Sequence, residues 1–75
     1  MNIFDILRSL TPKHFVDYGV VIANNDIVNA CKLYGQDNAD IIKSLLLNLE
    51  KQNKLSIVYM NKSGFEDLIV GVKLR

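Results

Sequence analysis

Apolar residues near the start of the chain recur at helical spacing. Ile3, Ile6, Leu7 and Leu10 share one side of residues 2–10, while Asp5, Arg8 and Ser9 face the other way. Asp5 in the first turn suits the positive end of a helix dipole. Thr11-Pro12 then resembles an N-cap with a first-turn proline, and Gly19 a C-terminal stop, so residues 12–18 read as either a short extra helix or an ordered loop anchored by Phe15 and Tyr18. Val20-Val21-Ile22-Ala23, bounded by Gly19 and Asn24-Asn25, has the β-branched character of a brief buried strand. Asn24 or Asn25 caps the next helix, which runs to about Tyr34 with Asp26 in its first turn. Its inner stripe is Ile27, Ala30, Cys31 and Tyr34; Gly35 ends it and Gln36-Asp37-Asn38 makes a turn.

The strongest pattern covers residues 38–53. At 100° per residue, Ile41, Ile42, Leu45, Leu46, Leu49 and Gln52 fall in one sector, with Asp40, Lys43, Ser44, Leu47, Glu50 and Lys51 opposite. Leu46 and Leu49 are the expected core anchors, and Leu47 is a large apolar residue on the outward side. A hairpin follows, with strands at 55–60 and 65–74 joined by Asn61-Lys62-Ser63-Gly64. Leu68, Val70, Val72 and Leu74 alternate with Asp67, Ile69, Gly71 and Lys73, and the Leu68 side is the expected core side. If Met60 pairs with Phe65, then Val58, Met60, Phe65 and Ile69 lie opposite Leu55, Ile57 and Leu68.

With 75 residues there is room for one small domain spanning 1–75, and the 49% apolar and 23% charged content is that of a folded chain. Nine basic residues against eight acidic leave a net charge of +1, so no global field points to nucleic acid or an anionic membrane. One cysteine, Cys31, cannot build a disulfide framework and suggests a reducing compartment. The N-terminus does not read as a signal peptide and no apolar run approaches the ~20 residues of a membrane span, so a cytoplasmic location is expected, in a microbe or in the host of a virus or phage.

The order helix, short strand, helix, turn, helix, hairpin resembles the winged helix-turn-helix superfamily over nearly the whole chain. The resemblance implies a compact α+β fold with three main helices and a small antiparallel sheet. The second and third helices form the helix-turn-helix and the C-terminal β-hairpin is the wing. The strand at 20–23 would pair with the last strand to close the sheet. Cys31, four residues before the turn glycine Gly35, is a small residue suited to close helix packing. Ile41, six after that glycine, stands where a buried residue is expected, whereas Ser44, nine after it, stands where an apolar residue is common; the helix pair is therefore rotated or its turn lengthened.

His14 and Cys31 are the only soft metal ligands, too few for a structural zinc site, and the four glycines are scattered rather than gathered in a phosphate loop. No serine is tied to His14 and Asp17 by any recognisable context, so neither catalytic residues nor a cofactor are expected. The superfamily's commonest use implies a DNA-binding, transcription-regulatory protein. Its contacts with double-stranded DNA would come from Lys43, Ser44, Asn48 and Lys51 on the third helix and Lys62 on the wing. From residue 38 onward six basic residues face four acidic ones, the right sign for that role. Asp37 and Asp40 at the start of the helix oppose it, and no arginine there can read guanine. The alternative is a protein-interaction module, such as a phage-type inhibitor or assembly factor. That module would use an outer apolar surface of Leu47, Val58, Met60, Phe65 and Ile69 to bind a protein partner or a second copy in a homodimer.

Overall fold

The computed structural model describes residues 2–75 as an α+β fold of three helices on one face of a four-stranded antiparallel sheet. In chain order the elements are α1 (Ile3–Ser9), β1 (Lys13–Phe15), β2 (Gly19–Ala23), α2 (Asn24–Leu33), α3 (Ala39–Lys51), β3 (Leu55–Tyr59) and β4 (Ile69–Leu74). The sheet order is β1-β2-β4-β3. Among the described residues no helix is long and apolar enough to cross a membrane.

Local chemistry fixes most helix ends. Asn2 caps α1 by accepting the Phe4 and Asp5 N–H groups at 3.1 and 3.4 Å, and Asn38 caps α3 by accepting those of Asp40 and Ile41 at 3.0 and 3.3 Å. Helix α2 begins directly from β2: Ala23 occupies the cap position with no side-chain bond, and Asn24 and Asn25 lie inside the first turn rather than capping it. Two Schellman motifs close the long helices. Gly35 at φ +90° lets the Gln36 N–H reach the Cys31 carbonyl at 2.9 Å, and Asn53 at φ +60° lets the Lys54 N–H reach that of Leu49 at 3.1 Å.

The core draws on every helix: Ile3, Ile6 and Leu7 from α1, Ile27 and Cys31 from α2, and Ile42, Leu46 and Leu49 from α3. The sheet contributes Ile22, Leu55, Ile57 and Val72. Ile42, seven residues after Gly35, is buried, while Ile41 is 44% exposed. The turn between α2 and α3 is thus one residue longer than the helix-turn-helix pattern expects, which turns Ser44 outward and brings Leu45 against the core. Tyr34, expected on the inner stripe of α2, is its C-cap and is 67% exposed, because the helix has already ended there.

Residues 12–18 form no helix. Lys13–Phe15 pair with Gly19–Val21 as a hairpin, and the Tyr18 N–H closes its three-residue turn on the Phe15 carbonyl at 3.3 Å. Phe15 and Tyr18 are only half-buried. The Asn61 N–H donates to the Tyr18 hydroxyl at 2.9 Å, tying this turn to the wing. Lys13 also reaches Asp26 in the first turn of α2 at 2.9 Å.

The C-terminal hairpin departs from its expected register. Ile57 pairs with Val72 and Val58 with Gly71, but Tyr59 pairs with Ile69, leaving Val70 as the extra residue of a β-bulge. A one-residue slip exchanges the two faces of a strand. Ile69 therefore packs against the core, and Leu68, expected on the core side, is 47% exposed. Met60 bonds through its N–H to the Leu68 carbonyl at 2.8 Å rather than pairing with Phe65, and residues 61–68 form an irregular loop in place of a four-residue turn. The free edge of β3 is partly closed: Glu50 on α3 accepts the Ile57 N–H at 2.9 Å, placing a carboxylate where another strand would otherwise pair.

Strand β2 joins β4 through only two pairs, Ile22 with Val72 and Ala23 with Gly71. A Cβ on Gly71 would lie 2.1 Å from the Ile22 carbonyl oxygen, so the strands can approach this closely only with glycine there. Gly71→Ala is expected to cost about 3 kcal/mol in urea unfolding, since the atoms it meets belong to backbone and cannot rotate away. Leu46→Ala should cost about 2–5 kcal/mol and Ile41→Ala under about 1 kcal/mol; equal losses would contradict the observed phase of α3.

Candidate functional site

The residues expected to bind DNA do not form one basic surface. Ser44, Asn48 and Lys51 are exposed on α3, and Lys62 is exposed on the wing loop. Lys43 is half-buried and shares a depression of about 190 Å³ with Asp40, Asp67 and Leu68. Asp37 and Asp40 are exposed at the start of α3, and Glu66 and Asp67 on the loop that carries Lys62.

The expected protein interface is divided in the same way. Leu47 and Ile69 are half-buried and packed against the core, so neither belongs to a free outer surface. The bulge at Val70 is what turns Ile69 inward. Val58 and Met60 are half-buried. Phe65 is open, 52% exposed, and stands beside Glu66, Asp67 and the half-exposed Leu68. Consecutive turns, Phe65 N–H to the Lys62 carbonyl and Leu68 N–H to that of Phe65, each 3.0 Å, hold this acidic and apolar loop in place.

A second feature was not legible in any one segment. Beyond their two pairs β2 and β4 diverge, and the split between them opens into a groove of about 420 Å³. Leu10, Pro12, Val20, Val72 and Leu74 supply its apolar lining, with Arg8 and Lys73 also on its wall. Lys54 and Arg75 stand at the same end. The Lys54 ammonium and the Arg8 guanidinium lie 5.4 and 6.0 Å from the centre of the Phe4 ring, and the Arg75 N–H donates to the Lys54 carbonyl at 3.1 Å. Arg75 is further fixed by Nε–H to the Ser56 hydroxyl at 3.0 Å. Among the described residues the one ion pair is Lys13 with Asp26, so these four cations carry no carboxylate partner within ion-pair distance. Their positions, 8, 54, 73 and 75, are scattered along the chain, and only the closing of the sheet gathers them. The run Lys73-Leu74-Arg75 was the one local hint.

The two candidate nucleophilic or metal-binding side chains are far from forming a site. Cys31 is buried in the core and His14 is exposed on the edge strand β1. Among the described residues no group of three His, Cys, Asp or Glu side chains is placed to hold a metal ion. Burial pushes the Cys31 thiol pKa above its ordinary value by desolvating the thiolate. A folded-state pKa above the unfolded one means that this contribution to stability is complete below the unfolded pKa and is lost as pH rises through the folded one. Cys31 should therefore react slowly with a thiol reagent under native conditions and rapidly in denaturant, and Cys31→Ala should lessen the fall in melting temperature at alkaline pH. Rapid native labelling would place the thiol at the surface. The chain matches no protein-family model, no curated protein and no solved structure, so the functional reading rests on these surfaces alone.

Proposed function

We propose that this chain is a non-enzymatic winged-helix protein that works by binding another protein through its wing. Two features of the architecture support the winged-helix reading. The strand before α2, β2, pairs with the last strand, and that last strand lies between it and β3, so α2 and α3 stand as the helix pair beside a two-stranded wing.

The observation that carries the choice of partner is the distribution of charge. A duplex attracts proteins chiefly through its phosphates, and each lysine that neutralises one releases counterions. Asp37 and Asp40 stand at the start of α3, Glu66 and Asp67 on the loop that carries Lys62, and Lys43 shares its depression with Asp40 and Asp67, while the cations without a carboxylate partner gather at the opposite end of β4. Such a field turns the wrong end toward DNA. It suits a partner that presents a basic rim around an apolar cleft, into which Phe65 and Leu68 insert while Glu66 and Asp67 meet the rim.

The exposure of Ser44, Asn48, Lys51 and Lys62 along α3 and the wing favours a second reading, a transcription regulator on duplex DNA. Fluorescence anisotropy of the labelled protein separates the two, with a short duplex and a basic amphipathic peptide as probes. The peptide is expected to bind and to be lost in Phe65→Ser/Leu68→Ser, with no measurable duplex affinity at moderate salt. Duplex binding whose log affinity falls with log salt at a slope of about −2 or steeper, and which Lys51→Ala/Lys62→Ala abolishes, would overturn the protein reading and establish the DNA one.

A further inference from the structure

We propose that the basic apolar groove at the split between β2 and β4 receives the wing loop of a second copy, so that the chain associates head to tail. This rests on the wing being a protein-binding element and names its partner. The groove has what the loop requires. Leu10, Val20 and Leu74 offer an apolar lining, and Arg8 and Lys73 stand on its wall with no carboxylate partner. The loop presents the complementary order, apolar-acidic-acidic-apolar, in Phe65-Glu66-Asp67-Leu68, with both apolar side chains about half exposed.

The β2–β4 ladder stops at Ile22 and Val72, and the groove lies where it stops, between Val20–Val21, which pair on their other side with β1, and Lys73–Leu74, which pair with β3. A chain cannot fill its own groove: the wing loop enters β4 at Ile69 and the groove lies at Leu74, about 17 Å away along a rigid strand. Occupation must come from another copy. Because the two surfaces differ, the contact is heterologous, and each added copy leaves one groove and one wing free.

Sedimentation velocity over a concentration series, at low and physiological salt, tests this with two charge-reversed variants. The wing variant is Glu66→Lys/Asp67→Lys, at exposed loop positions where folding is not at stake, and the groove variant is Arg8→Glu/Lys73→Glu. Lys73→Glu alone serves if the double change unfolds the chain by circular dichroism. Wild type is expected to grow in size with concentration and to shrink as salt rises, while each variant alone stays monomeric. Mixed in equal amounts, the variants offer one junction with native charges and one with both charges reversed, so salt-sensitive association should return. Wild type that remains monomeric at every concentration would overturn the proposal while leaving the basic-peptide result intact. So would association that either reversal fails to abolish, or a mixture of folded variants that does not pair. Loss of basic-peptide binding in wild type would instead count against the wing reading itself.

Discussion

Two residue pairs hold the halves of this chain in register. Ile22 with Val72 and Ala23 with Gly71 are the whole of the ladder between β2 and β4, and they join α1 and the β1–β2 hairpin to the β3–β4 hairpin. The ladder exists because position 71 has no side chain, which lets the Ile22 carbonyl come within a distance that a Cβ would forbid. From it follow the central position of β4, the inward aim of Ile22 and Val72, and the packing of α2, which leaves β2 without an intervening loop. The same shortness leaves the strands free to part beyond Val72, where the groove opens.

The polar surface is organised by this geometry rather than by any run of charge. The net charge is only +1, yet carboxylates collect around the start of α3 and the wing loop, and cations around the far end of β4. Phe4 gathers two of those cations over one ring, which places like charges together where each would otherwise be solvated apart. Glu50 is set against another task, satisfying the Ile57 N–H on the outer edge of β3. The sheet is thus partly guarded at one edge and open in its middle, an inversion of the usual arrangement in which edges are the exposed sites.

Helical periodicity made α1, α2 and α3 legible in the sequence, with Gly35 as the stop of α2, whereas the caps Asn2 and Asn38 and the left-handed Asn53 emerge only in the structure. The closing of the sheet by residues 20–23 on the last strand was legible too, through the resemblance to winged-helix order. Residues 12–18 were not, because Gly19 at φ +78° serves equally as a helix stop or as the residue after a three-residue hairpin turn. Only pairing with β2 decides between them. The wing's faces were inverted near Leu68 and Ile69 because a bulge leaves no periodic mark; the interior glycine at 71 was the available clue. Of the candidate sites, Phe65 was named from the sequence, but as a strand residue paired with Met60 rather than as part of an exposed loop. The groove was not, since Arg8, Pro12, Val20 and Lys73 come together only through tertiary structure.

The bulge at Val70 also separates two inheritances. On its β4 side, Gly71 and Val72 are bound to the core and to the close approach of β2. On its other side, residues 60–68 contribute no residue to the buried core. A strand that has already absorbed one unpaired residue can absorb a change in loop length without transmitting it to the ladder. The loop tip can therefore change in length or charge while the folding unit beneath it keeps its register.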